Sequence, residues 1–206
     1  MSGWRESSEC RTGTERGRET KVRIVEAAAR LMHMQGVDAT SLDQILAESG
    51  TGKGQMYHYF STKTDLVEAV LRHQLRRVLA DQRRFDLATW DGIERWLDSM
   101  LRAHTERGFR GGCPLGSLIA EVVDRDDRLR AVATEAFTLW EDQMAAGLGV
   151  LQDRGELRDD ADPRRLAEEA MATIQGGYLL STMKRRAQTM QHALAAVFER
   201  LASFAT

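Results

Sequence analysis

Apolar side chains recur along the chain every three or four positions, and each run is closed by glycine, proline or a cluster of short polar residues. Val22, Val25, Ala28, Ala29 and Met32 predict a helix over 20–35, ended by Gly36. Leu42, Ile45 and Leu46 share one face of a shorter helix. Ser41 with Gln44 forms a capping box at its start, and Gly50 stands where it must stop, since glycine enters the left-handed conformation of a helix C-terminus without strain. Met56 and Phe60, four apart, give a third short helix over 53–60 its buried stripe. Thr62 with Asp65 opens a long helix to about 84, carrying Leu66, Val67, Val70, Leu71, Leu75, Val78 and Leu79. Further helical runs begin at Asp91, at Leu115 after a glycine-rich loop over 107–112, at Asp126, at the Asp162-Pro163 pair and near Thr189. With two prolines and few alternating β-branched runs, the pattern is that of an all-α chain.

Charge changes this picture by what it withholds. The 206 residues carry a formal net charge of −2, so the chain as a whole is not a nucleic-acid-binding polycation. Residues 1–65 balance as well, nine Lys and Arg against nine Asp and Glu, so any contact with DNA must come from placed charges. Residues 1–19, rich in Ser, Thr, Gly, Arg and Glu with Trp4 as the only large apolar group, read as a flexible arm. Arg16, Arg18, Lys21 and Arg23 are either solvated or close to phosphates. Two cysteines make no disulfide framework, and neither a leader-like apolar run nor a membrane span is evident, which reads as a cytoplasmic protein. The five histidines, at 33, 58, 73, 104 and 192, are too scattered for a metal site, so neither metal nor cofactor is expected.

The third short helix carries the candidate chemistry. Away from Met56 and Phe60 it presents Lys53, Gln55, His58 and Tyr59: donors, acceptors, rings and a cation, but no acid. Such a face suits a DNA major groove. The run Ser49-Gly-Thr-Gly-Lys-Gly-Gln-Met-Tyr-His-Tyr-Phe-Ser-Thr-Lys63 resembles the signature of the tetracycline-repressor (TetR) family, in detail over about residues 20–70. The resemblance implies a dimeric, all-helical regulator of double-stranded operator DNA. Its N-terminal three-helix domain with a helix-turn-helix would span 20–65, and its helical ligand-binding and dimerisation domain 66–206. By position, Lys53 and Gln55 would read base edges, and Tyr57, Tyr59 and Lys63 would grip phosphates. His58 would do either, and Thr40 and Thr51 would approach the DNA backbone, with Gly52 and Gly54 completing the surface. Gly52 stands where serine is common and Gln55 where threonine is common, and glutamine can pair with adenine through two bonds. The ring of Tyr57 is expected to pack inward with its hydroxyl out.

One recognition helix reads only a few base pairs, so two copies roughly one DNA turn apart are needed. The resemblance implies that the last two helices pair with their mates in a four-helix bundle. Ala170, Ala172, Gly176 and Gly177 would allow close approach, with Leu194 and Phe198 on the second helix; alternatively the small residues relieve crowding inside one subunit. In the C-terminal half Trp96, Met100, Phe137, Trp140, Met144, Met171, Tyr178 and Met183 suit an adaptable apolar pocket, with His104, Gln175 and Tyr178 as polar orienting groups for a small, hydrophobic, planar effector. Each of them is also an ordinary core residue.

Cys113 has its own alternatives. Gly111-Gly112-Cys113-Pro114-Leu115 resembles a phrase of family members that respond to electrophiles, and a helix start would lower the thiol pKa. Equally, Cys113 is a small buried residue before a proline. Two rival functions stay open at this point: a helical enzyme or redox protein using Cys113 with His104, and an adaptor that binds only protein.

Overall fold

The computed structural model describes residues 15–206 and shows nine helices among them: α1 (Glu15–Gln35), α2 (Leu42–Ser49), α3 (Lys53–Tyr59), α4 (Lys63–Gln82), α5 (Trp90–Glu106), α6 (Gly116–Val122), α7 (Asp127–Asp153), α8 (Pro163–Lys184) and α9 (Ala187–Ala202). No strand occurs among the described residues; the isolated bridge from Leu157 to Ala205 is the only β-type pairing there. Residues 1–14 of the expected arm lie outside the described residues, and 15–19 are already helical.

The local signals act as sequence chemistry dictates. The Ser41 hydroxyl accepts from Gln44 N at 3.2 Å while Gln44 Oε1 accepts from Ser41 N at 2.9 Å. Thr62 and Asp65 make the same reciprocal pair at 3.1 and 3.0 Å. Asp162 accepts from Arg164 N and Arg165 N at the start of α8, with Pro163 needing no partner. Gly50 ends α2 at φ 63°. One stripe shifts: Val22 is exposed, and Ile24, Val25, Ala27, Ala28, Ala29 and Met32 form the inner face of α1.

Helix α1 packs against α2, α3, α4 and α6, so one buried face organises the N-terminal bundle and ties it to the rest. The remaining core lies between α4, α5, α7, α8 and α9. Leu157 is fully buried after Gly155 turns the chain at φ 71°.

Helix α6 holds the α1–α2 connection. Glu121 Oε2 accepts from Val37 N at 2.7 Å, and Arg125 pairs with Asp38 at 2.6 Å. The pair is exposed and contributes little, but the carboxylate satisfies a backbone donor just past the end of α1. Glu121→Ala is therefore expected to lower the melting temperature by about 2–6 °C. Glu121→Gln, which keeps an acceptor oxygen, should recover most of the loss in the same thermal scan.

Candidate nucleic-acid interface and ligand cavities

Helix α3 is fixed from below by Met56 and Phe60, both nearly inaccessible. Its outer surface presents Lys53, Gly54, Gln55, Tyr57 and His58, all exposed, with Gly52 just before its first turn. Gln55 Oε1 accepts from Gly52 N at 3.3 Å, which is the half of a capping box that a glycine can still make; the half that a serine hydroxyl would supply is absent. Lys53 faces Asp43 at 3.4 Å, an exposed pair that exchanges readily for a phosphate. His58 and Tyr59 stand edge to face at 4.8 Å between ring centroids.

Several expected contacts are corrected. Tyr57 is 58% exposed, so its ring is not packed inward; Tyr59 is the half-buried tyrosine. The side chain of Thr40 is buried, its hydroxyl donating to Gly36 O at 2.7 Å. The Thr51 hydroxyl is buried against Ser49 Oγ at 2.7 Å. Both threonine hydroxyls hold the helix-turn-helix together from within. Lys63 is exposed but donates from Nζ to Thr40 O at 3.0 Å, binding the start of α4 to the α1–α2 connection.

Two cavities of the C-terminal half bear on the expected pocket. One, of about 120 Å³, lies between α4, α5, α7 and α8, with Val78, Gln82, Trp96, Met100, Arg107, Trp140 and Tyr178 on its walls. The other, of about 280 Å³ and mainly apolar, opens beside Cys113, Gly116, Ser117, Gln175, Tyr178 and Leu179. Of the expected pocket residues, Trp96, Met100, Trp140 and Tyr178 thus line the first cavity, and Cys113, Gln175 and Tyr178 the second. Five do not line either: Met144 and Met171 are fully buried core residues, Met183 is exposed, Phe137 leans on Trp140 with centroids 5.8 Å apart, and His104 lies behind Tyr178. His104 Nε2 shares a hydrogen bond with Ser181 Oγ at 3.0 Å, and burial, with Arg107 next, pulls its pKa down to about 4. Burial raises the pKa of the Tyr178 phenol, which therefore stays protonated. Gln82 and Arg107 were missed by sequence reasoning; their positions depend on helix packing and carry no local signal.

Of the two readings of Cys113, its burial favours the small core residue before a proline. Helix α6 starts at Gly116, so Cys113 precedes its N-cap, Leu115. Its sulfur accepts from Gly116 N at 3.3 Å, yet burial pushes the thiol pKa up and outweighs the backbone N–H groups that favour a thiolate. A Cβ at Gly116 would sit 2.3 Å from Gln175 Oε1, so any larger residue there has to displace that amide.

The expected dimer residues also divide. Ala170 and Leu194 are buried within the chain, Gly177 admits Ala193 and Met190 of α9, and Phe198 stacks on Trp90. All four make packing contacts inside the subunit. Only Gly176 lies open, on a face of α8 that continues through Ala172 to Leu179 and Met183, respectively 62% and 69% exposed. Exposed apolar side chains at helical spacing mark a face that wants a partner.

A helix-turn-helix whose second helix, α3, presents a cation, hydrogen-bonding groups and rings but no acid of its own, joined to a helical domain with cavities, defines a DNA-binding regulator. Residues 24–70 match the model of bacterial regulatory proteins of the tetR family, and residues 90–197 that of the tetracyclin repressor-like C-terminal domain. The chain belongs to the TetR family. It is a transcriptional regulator, not an enzyme, in a family whose members bind operator DNA and act as dimers. An uncharacterized HTH-type regulator from the lacX 3' region of Lactococcus lactis is 30% identical over 79% of this chain and 83% of its own length. The HTH-type regulator LmrA of Bacillus subtilis is 30% identical over 84% of this chain and 92% of its own. The crystal structure of a TetR regulator from Chloroflexus aurantiacus superposes with a TM-score of 0.79 at 26% identity, covering 93% of this chain and 98% of that one. Among the described residues no helix is long and apolar enough to cross a membrane, and no cluster of ligating side chains suits a metal ion.

Proposed function

We propose that the chain is a cytoplasmic, ligand-released repressor. As a homodimer it binds a pseudo-palindromic operator through Lys53, Gln55, Tyr57, His58 and Tyr59, with Lys63 at the edge of the contact, and a small molecule in the C-terminal half releases it. Pairing uses the Ala172–Gly176–Leu179–Met183 face of α8 with α9 beside it.

The observation that carries this reading is the continuity of α4. Its first turn holds the Thr62–Asp65 cap and Lys63, next to the DNA reader, and its last turns supply Val78 and Gln82 to the smaller cavity. These are the two ends of one unbroken helix of 20 residues, roughly 30 Å long. A ligand that favours one position of the far end biases the spacing of the two recognition helices, provided it binds one position better than the other. Of the Gly-Cys-Pro-Leu phrase, Gly112 and Cys113 enter as walls of the larger cavity and Pro114 of the smaller, with Cys113 a buried thiol rather than a reactive thiolate. The test is to select DNA from a random pool with the purified protein and then screen small molecules for release. A palindromic consensus bound by two chains and released by at least one compound is expected. Selection of no sequence, or binding by single chains, would overturn the proposal.

A further inference from the structure

The smaller cavity holds an imbalance of polar groups. Trp140 and Gln82 line it and are almost wholly buried, yet neither the indole N–H nor the Gln82 amide nitrogen has a partner. Arg107, on the same wall, has a buried Nε–H without an acceptor; its Nη2 reaches Gly112 O at 3.5 Å and its guanidinium also faces the neutral Tyr178 hydroxyl, neither of which balances its charge. Among the described residues Arg107 forms no ion pair; Asp81, the acid on this wall, is exposed and lies 3.9 Å from Arg84. A glutamine amide can turn to offer either end, but an indole and a guanidinium can only donate. Buried donors without acceptors cost free energy, and so many around one cavity call for an acceptor from outside.

The acceptor must also suit a charge. Arg107 acts on its neighbourhood as an uncompensated cation: after burial it is the next cause lowering the pKa of both His33 and His104, which stay neutral around it. An anion satisfies both the donors and the charge, and a guanidinium offers a carboxylate two parallel bonds. The other walls, Val78, Trp96 and Met100, are apolar, and about 120 Å³ holds one ring or a short chain. Resting on the reading of this half as an effector domain, we propose that the cavity takes a small amphiphilic monocarboxylate, its carboxylate held by Arg107 and the Trp140 N–H and its apolar part against Trp96 and Met100.

The test uses the full chain and four probes, benzoate, phenylacetate, 3-phenylpropanoate and hexanoate, each beside its uncharged primary amide. Binding is followed by tryptophan fluorescence at pH 7.5, and release by anisotropy of labelled operator. At least one acid should bind about 10-fold more tightly than its amide and release the DNA. Arg107→Met should bring the acid down to the level of the amide, Arg107→Lys should keep part of the preference, and Trp140→Phe should weaken it. Thermal scans of each variant exclude unfolding as the cause. Acids that bind no better than amides, or do not bind, overturn the carboxylate assignment. If a neutral compound then releases DNA and Met100→Trp, which fills the cavity, blocks it, the effector reading survives that failure. If Met100→Trp leaves every compound's release intact, the cavity is not the effector site and both fall.

Discussion

Tyr57→Phe lowers operator affinity by about one to two orders of magnitude while leaving thermal stability unchanged. The two halves of this expectation have one cause. Tyr57 stands exposed on the surface of α3, off the stripe formed by Met56 and Phe60, so its hydroxyl supports nothing inside the protein. A phenol donating to a phosphate is worth roughly 1 kcal/mol, more with the charge of the acceptor, and a symmetric dimer loses it twice. Lys53→Ala should reduce the slope of log affinity against log salt by up to about 2, one cation for each recognition helix, because an ammonium brought into the groove displaces counterions from nearby phosphates even where it reads a base edge. Its exposed pairing with Asp43 at 3.4 Å opposes this exchange only weakly. Anisotropy titrations at several salt concentrations read both effects. Unchanged affinity in Tyr57→Phe, with an unchanged salt slope in Lys53→Ala, would remove the DNA site from this face.

What could be read from the sequence was local. The capping boxes at Ser41 and Thr62, the Asp162-Pro163 start and the stop at Gly50 each involve groups within a few residues, so spacing fixes the geometry. The inward Met56 and Phe60 follow from the same spacing, and it also turns Tyr57 outward, since a neighbour one position along a helix points about 100° away. The expectation that its ring was buried set residue type above that angle. For Thr40 and Thr51 the resemblance locates a residue near DNA without saying where its hydroxyl turns. Both hydroxyls found partners a few residues away, in Gly36 and Ser49.

The rest depended on helices meeting across long stretches of chain. Glu121 reaches Val37, and Arg107 shares a cavity wall with Gln82 and Trp140, only once α6, α5, α4 and α7 are packed. The dimer residues show the same limit. Small residues on α8 were legible as close-approach positions, but whether α9 of the same chain or a second chain comes close is decided by packing: Gly177 faces Ala193 within the subunit, and Gly176 faces open space.

The chain should also lose stability as the pH falls from about 6.5 toward 4, and His104→Gln should flatten that loss. His104 is fully buried between Phe109 and Tyr178, bonded through Nε2 to Ser181, with its Nδ1 unpartnered. Burial, then Arg107, His33 and Arg185, pull its pKa down to about 4, whereas in the unfolded chain a histidine titrates near 6.5. Between those values the unfolded state binds a proton that the folded state refuses. Stability therefore rises with pH across that window, is complete above it, and is lost progressively on acidification, by on the order of 3 kcal/mol. His33 and His73, also lowered chiefly by burial, act in the same direction. Urea unfolding at fixed protein concentration, followed from pH 7.5 to 4.5, measures the slope. His104→Gln removes the titrating group and keeps a polar side chain toward Ser181, so its slope should be shallower by up to about 1.4 kcal/mol per pH unit, whatever its stability at pH 7.5. Parallel curves for the two proteins would mean that His104 accepts its proton in the folded state as readily as in the unfolded one. Its burial against Tyr178 would then not be what holds it neutral.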